Sequence, residues 1–354
     1  MTTKIKCENA MKKILVIRND KIGDFMLAWP SFAMLKQSMP DCHVTALVPK
    51  YTIELAKLCP WIDDVLLDPT KNGDPSERRA VLESIKKGKF DASINLFSTT
   101  YNALLVWRAG IKYRLAPATK FAQLFYNHRI KQRRSQSAKP EFQYNLDLIR
   151  AFLNEQNITI VEPQAPYLTF EAEILKEQKR KLSQQLDIDT SLPWIMVHAG
   201  TGGSANNLSL EQYSDLIIGI ESDFQLIVTA GPGEEEKAFQ LLELIKSKGK
   251  KGVVYSKNDG LTDFTRSIAC ARLFIAGSTG PLHIAATIDI PTVGFFPSKR
   301  SSTPLRWLPI NSEGRHLAFC PPKGGGEELE ADMSRINVDT ALETLNPWVA
   351  RYLS

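Results

Sequence analysis

The chain has 354 residues, enough for two domains of ordinary size, and its 43% hydrophobic and 23% charged residues are the balance of a globular protein. No apolar run reaches the roughly eighteen residues of a membrane span, and the polar N-terminus lacks the apolar core of an export signal. The net charge of +5 is modest, and five scattered cysteines (Cys7, Cys42, Cys59, Cys270, Cys320) without metal spacing suit a reducing compartment.

Taken in order, residues 1–11 read as a loose tail and Lys13–Arg18 as a central parallel strand, apolar throughout with a charged end. A loop, Asn19–Asp24, follows. Phe25–Ser38 has helical spacing, with Pro30 bending or ending its first turn. His43–Val48 is a second strand, Thr52–Lys57 a helix, Val65–Leu67 a strand, Glu77–Lys87 a helix and Asp91–Leu96 a fourth strand. The domain continues to a helix over Tyr144–Asn154. Alternating strands and helices predict a doubly wound α/β domain.

Ile158–Thr169, punctuated by Pro163 and Pro166, reads as a linker, and after a charged helix (Ala172–Gln185) the alternation restarts. Trp194–His198 is a strand, Ala199–Asn207 a glycine-rich loop and Leu210–Ile220 a helix; Gln225–Thr229, a turn at Gly231–Gly233 and a helix over Glu234–Ser247 follow. Val253–Tyr255 is a strand, and Leu261–Ala269 a helix with Thr262 as candidate cap. Leu273–Ala276, the loop Gly277–Pro281, a helix over Leu282–Ile288 and a strand over Thr292–Phe296 form one strand–loop–helix–strand unit. A last helix, Val338–Leu345, has Asn337 as candidate N-cap. The expected domains are residues 1–160 and 161–354, with the last helix a candidate to pack back on the first. Two such halves suggest a ligand held in the crevice between them.

Two glycine loops carry the chemical signal. Backbone N–H groups and a helix N-terminus converge after Leu273–Ala276, with a hydroxyl from Thr279 and with His283 in the first helical turn, as a phosphate would need. Gly200-x-Gly202-x-x-Ala205 matches the dinucleotide fingerprint literally, but the next strand runs into Ala-Gly-Pro-Gly instead of the acidic residue that would bind a ribose, which argues against an oxidoreductase. Asp187-x-Asp189 reads better as turn chemistry than as a metal pair, and no metal site is expected. Between Asp91 and Glu141 no acidic residue occurs, while Arg108, Lys112, Arg114, Lys120, Arg129, Lys131, Arg133, Arg134 and Lys139 do, interleaved with aromatics. Such a run is a solvated face, a surface for an anionic membrane or a phosphorylated substrate, or a nucleic-acid patch; no nucleic-acid module accompanies it.

Arg18-x4-Gly23-Asp24 after the first strand, His198-x-Gly200 with its loop, and Ser278-Thr-Gly-Pro-x-His283-x-Ala-Ala together resemble glycosyltransferase family nine, the bacterial heptosyltransferases of lipopolysaccharide inner-core assembly, over about residues 12–346. The resemblance implies the GT-B architecture, two Rossmann-like α/β domains facing across a cleft, the N-terminal one for the acceptor and the C-terminal one for the nucleotide-sugar. It implies inverting transfer of heptose from ADP-L-glycero-D-manno-heptose to a Kdo-lipid A type acceptor, without metal or cofactor, by a cytoplasmic enzyme in transient contact with the inner membrane. Asp24 is then the catalytic base, or else the N-cap of the helix at Phe25. Thr201, Gly202, Gly203, Ser204, Asn206, Glu235, Ser278, Thr279, Gly280 and His283 face the donor, with Glu235 at its ribose. Arg18, Lys21, Lys120, Arg129, Arg133 and Arg134 are assigned to the anionic acceptor. Two positions depart from the family pattern: Asn206 stands where a phosphate-directed lysine is frequent, leaving Lys299, Arg300 or Arg306 to supply that cation, and Ser278 stands where Asp is frequent. These departures leave two alternatives open, a relative using another nucleotide-sugar and a nucleotide-sugar-binding protein without turnover.

Overall fold

The structure, a computed structural model, describes residues 11–203 and 205–353; Cys7 and Ser204 lie outside the described residues. The chain divides into two compact units, one reaching to Arg133 and resuming at Phe142–Pro163, the other comprising Arg134–Glu141 and the chain from Gln164.

The first unit runs β1 (Lys13–Ile17), α1 (Ile22–Met26), α2 (Trp29–Ser38), β2 (His43–Pro49), α3 (Ile53–Leu58), β3 (Asp64–Asp68), α4 (Pro75–Gly88), β4 (Ala92–Asn95), α5 (Thr100–Arg108), β5 (Tyr113–Pro117), β6 (His128–Ile130) and α6 (Glu141–Glu155). All strand pairs are parallel and the order is β3-β2-β1-β4-β5-β6. β1 and β2 are buried on both faces after their first residue, which is why they read as unbroken apolar runs. The single helix expected over Phe25–Ser38 is two helices. Pro30 sits in the first turn of α2, where an N–H has no helical partner and proline is tolerated. Lys21, not Asp24, occupies the N-cap of α1; Asp24 lies in its first turn, where the helix dipole favours a carboxylate.

The second unit contains α7 (Ala172–Leu186), β7 (Trp194–His198), α8 (Leu210–Ile218), β8 (Gln225–Thr229), α9 (Glu235–Ser247), β9 (Val253–Tyr255), α10 (Leu261–Ala269), β10 (Leu273–Gly277), α11 (Gly280–Thr287), β11 (Thr292–Phe295), β12 (His316–Phe319), α12 (Glu327–Ala331) and α13 (Val338–Leu353). Its parallel order, β12-β11-β10-β7-β8-β9, repeats the first sheet's when counted from β7. Each sheet therefore reverses its winding once, between β1 and β4 and between β7 and β10. Asp187 ends α7 with a positive φ, and Asp189 accepts hydrogen bonds from Ser191, so this pair is turn chemistry. Gly260 precedes α10, and Thr262 lies inside the helix instead of capping it.

Asn337 caps α13 as expected, accepting from the Thr340 N–H at 2.9 Å. The helix continues through Pro347 to Leu353, because Ala341, Leu345, Trp348 and Val349 are buried in the core of the second unit and hold it past the proline. Leu345→Ala should cost about 2–5 kcal/mol of stability, measured by urea unfolding; a cost near zero would mean that α13 is not part of that core.

Candidate functional site

In doubly wound sheets ligands sit at the carboxyl ends of the strands where the winding reverses. In the first unit that point is the segment 18–24, leaving β1 beside the end of β4. Arg18 is buried, its side chain 2% exposed. Its Nε donates to Asp20 Oδ1 at 2.8 Å, its Nη2 to Asp24 Oδ1 at 2.6 Å, and its Nη1 to Asn145 Oδ1 at 3.2 Å and the Leu96 carbonyl at 3.4 Å. A guanidinium taken out of water has to be paired and hydrogen-bonded in this way, and its planar fork can span several acceptors. Asn145 of α6 in turn donates to the Leu27 carbonyl. Alongside, Asn19 and Asn102 exchange amide hydrogen bonds at 2.8 and 2.9 Å, and Asp68 at the end of β3 accepts from Asn19 and from the Tyr101 hydroxyl. Burial raises the Asp20 carboxyl to about 6, against the pull of Arg18 and with the push of Asp24. Asp24 keeps 16% of its side chain exposed. The pair is thus held by one cation on the sheet edge expected to carry chemistry.

In the second unit the loop after β7 forms an anion nest. Gly202 and Gly203 take successive positive φ values, +54° and +70°, and the N–H groups of Thr201 and Gly202 converge on Glu234 Oε1 at 2.7 and 2.6 Å. Glu234 immediately precedes α9. Its Oε2 lies 3.5 Å from His198 Nε2, while His198 Nδ1 lies 2.9 Å from the Thr229 hydroxyl, its register partner on β8. The Thr229 hydroxyl itself donates to the Val197 carbonyl at 3.3 Å. The His198 hydrogen bond first, then the loop amides, bring the Glu234 carboxyl down to about 2. A Cβ on Gly200 would stand 1.9 Å from Glu234 Oε2, so a larger residue there would push the Glu234 carboxylate out of the nest.

The loop after β10 adds a second polar cradle. Thr279 is extended at the N-cap of α11 without a capping bond; its Oγ1 and the Nδ1 of His283 are both buried with no partner among the described residues. Burial, and then the neighbouring His316, push His283 down to about 3, so it is neutral at ordinary pH. Unpaired buried polar atoms at the positive end of a helix are the chemistry an anion would satisfy. Asn207 ties the two loops together: it donates to the Ala199 carbonyl, accepts from Tyr213, and stands where a Cβ on Gly277 would be 2.5 Å from its Oδ1.

The positions singled out from sequence fall into three groups. Thr201, Gly202 and Gly203 surround the nest, and Ser278, Thr279, Gly280 and His283 form the second cradle. Asn206 instead donates to the Ala331 carbonyl at 2.8 Å, and Glu235 is the first residue of α9 while its neighbour Glu234 enters the nest. Arg18 is turned inward onto the two aspartates. Lys21, Lys120, Arg129 and Arg133 are exposed, but Arg134 is paired at 2.6 Å with buried Glu141, whose other oxygen is taken by Arg306. Asp20, Asn145, Asn207 and Glu234 were not singled out. Only its place in the loop that follows an apolar strand hinted at Asp20, and nothing local marked the others. Among the described residues no three His, Cys, Asp or Glu side chains cluster to hold a metal ion.

The two parallel α/β units share one winding, and the second carries glycine loops at the ends of β7 and β10, where its winding reverses. Residues 78–321 match the model of glycosyltransferase family 9 (heptosyltransferase), and a putative glycosyltransferase of Haemophilus influenzae is 52% identical over 96% of this chain and 97% of its own. The chain belongs to glycosyltransferase family 9. Its fold is that of the family 9 transferase of Veillonella parvula (TM-score 0.78, 16% identity, 96% and 97% of the two chains) and of the Escherichia coli ADP-heptose lipopolysaccharide heptosyltransferase II (TM-score 0.75, 18% identity, 96% and 99%). The GT-B class expected from the resemblance is therefore the one found.

Removing the guanidinium by Arg18→Met should cost about 3–5 kcal/mol in urea unfolding, because Asp20 and Asp24 would stay partly buried without their cation; a change under about 1 kcal/mol would mean that they resolvate freely. His283 and His316, lowered from 6.5 to about 3 and about 4, stay neutral in the fold while the unfolded chain takes up protons below 6.5. These two histidines therefore contribute a loss of stability as pH drops from 6.5 towards 4, offset in part by Asp20, whose raised carboxyl contributes a gain between about 6 and 3.8, and Glu234 adds a further loss from 4.5 towards 2. Melting temperatures across that range should decline less steeply in His283→Met than in the wild type; identical slopes would count against a buried neutral His283.

Proposed function

We propose that this glycosyltransferase moves heptose from ADP-heptose to an anionic lipopolysaccharide inner-core acceptor of the Kdo-lipid A type, by direct displacement with inversion and without a metal ion. The observation that carries the chemistry is the Arg18–Asp24 pair at the reversal point of the first sheet. Asp24, anchored through one oxygen, takes the proton from the acceptor hydroxyl as that oxygen bonds to the anomeric carbon and the bond to the diphosphate breaks. Arg18 positions this carboxylate. The departing ADP carries the charge that the amides of Thr201 and Gly202, Thr279 and the start of α11 receive, in place of a cation. For this the diphosphate has to displace the Glu234 carboxylate from the nest, after which Glu234 is available to hydroxyl donors of the ribose or sugar. The N-terminal unit would take the acceptor through Lys21, Lys120, Arg129 and Arg133. The donor and acceptor class are supported by the E. coli relative, an ADP-heptose lipopolysaccharide transferase, and the acceptor would bring the enzyme to the cytoplasmic face of the inner membrane.

A second reading, transfer from another nucleotide-sugar, is favoured by one observation: Asn206, at the position of the frequent lysine, is hydrogen-bonded to the 331 carbonyl and supplies no cation.

The test is product formation from ADP-heptose and a Kdo-lipid A acceptor in EDTA. Wild type should turn over unaffected by the chelator, and Asp24→Ala should lose at least about a hundredfold in kcat. Asp20→Asn should retain more rate than Asp24→Ala; the reverse order would make Asp20 the base. Turnover only with a different nucleotide-sugar would establish the second reading, and tight ADP-heptose binding without any turnover would make the protein a binder.

A further inference from the structure

We propose that the end of α5 and the 3-10 turn over Phe121–Phe125 form a docking surface for an anionic lipid bilayer. Trp107, Phe121 and Leu124 are 51%, 65% and 63% exposed, among the most exposed large apolar side chains of the described residues. They are one patch. Trp107 and Phe121 both pack edge-on against Phe125, with ring centroids 5.7 and 6.1 Å apart. The same turn sends Ala122 and Tyr126 inward, into a core shared with Ala103, Leu105 and Val106 of α5, so the outward side chains ride on an anchored backbone. A contiguous exposed patch of large apolar groups on an otherwise ordinary surface marks an interaction site.

The charges around it select the occupant. Arg108 follows Trp107 and Lys120 precedes Phe121, both exposed, and from residue 92 to residue 140 the chain has no Asp or Glu. Lys112, Arg129, Lys131 and Arg133 in that stretch are exposed too. The neighbouring α4, which shares this core through Val81 and Ile85, exposes Arg78, Arg79, Lys86 and Lys87; of its acids, Glu77 is tied up in the capping box and Glu83 is paired with Lys86. Tryptophan, phenylalanine and leucine tips ringed by long cationic side chains suit an interface where apolar groups enter the acyl boundary and cations meet phosphates. A second copy of this chain docked on the same patch by a two-fold axis would instead bring like charges together, which is unfavourable.

This inference deepens the reading of a lipid-linked acceptor, yet its test needs no turnover. The protein would be floated with unilamellar vesicles of phosphatidylcholine alone and with phosphatidylcholine containing about a third phosphatidylglycerol, at low and high salt. Wild type should bind only the anionic vesicles, less at high salt. Phe121→Ser/Leu124→Ser should weaken that binding about tenfold or more with the melting temperature unchanged; Trp107→Ser serves if the double variant does not fold. Failure of the wild type to float with anionic vesicles, equal flotation of the folded variants, or a concentration-dependent dimer abolished by them would each overturn the proposal. Failure here alongside normal transfer to a soluble acceptor analogue would leave the proposed activity standing.

Discussion

A single buried guanidinium organises the first unit's chemistry. Arg18 leaves the water-free end of β1 and cannot be left unpaired, so the segment after the strand has to present Asp20 and Asp24, β4 has to present the Leu96 carbonyl and α6 has to present Asn145. Three elements far apart in sequence are thereby pinned to one point. The same requirement orients Asp24, which a flexible glycine–aspartate loop would not do. A lysine could neutralise one aspartate but could not reach four acceptors in a plane.

In the second unit the governing constraint is the opposite charge. Successive left-handed glycines aim amides at one spot, and the chain supplies its own anion, Glu234, to fill it. A nest that binds a carboxylate with two short N–H contacts is built for anionic oxygen generally, and the unpaired Thr279 hydroxyl and His283 nitrogen extend that preference to the second loop. Because burial keeps His283 uncharged, the second cradle offers dipoles instead of a formal cation.

Much of the architecture was legible because it rests on local rules. Both-face burial made β1, β2, β7 and β10 read as apolar runs, and the glycine loops lay where strands hand over to helices. Errors fell where tertiary contact overrode a local signal. The last helix, expected over Val338–Leu345, runs on through Pro347 to Leu353 because buried Leu345, Trp348 and Val349 carry it. Glu235 and Glu234 are adjacent identical residues at a helix start, and only the distance to the loop of residues 200–202 tells which one enters the nest. Arg18 and Arg134 were assigned to an anionic acceptor, but sign and spacing say nothing of burial; their carboxylate partners decide it.

The sequence by itself determined the two α/β halves, most of their strands and helices, and the glycine loops, since each depends on residues within a turn or a strand of one another; α5, β5, β6, β12 and α12 came only with the structure. Only the tertiary structure decided which polar groups meet. Asn145 reaching Arg18, Glu234 filling the nest, and Trp107 lying beside Phe121 through Phe125 are contacts across sheet and helix boundaries. Such pairings follow from how parallel strands stack and wind, and no local pattern encodes them.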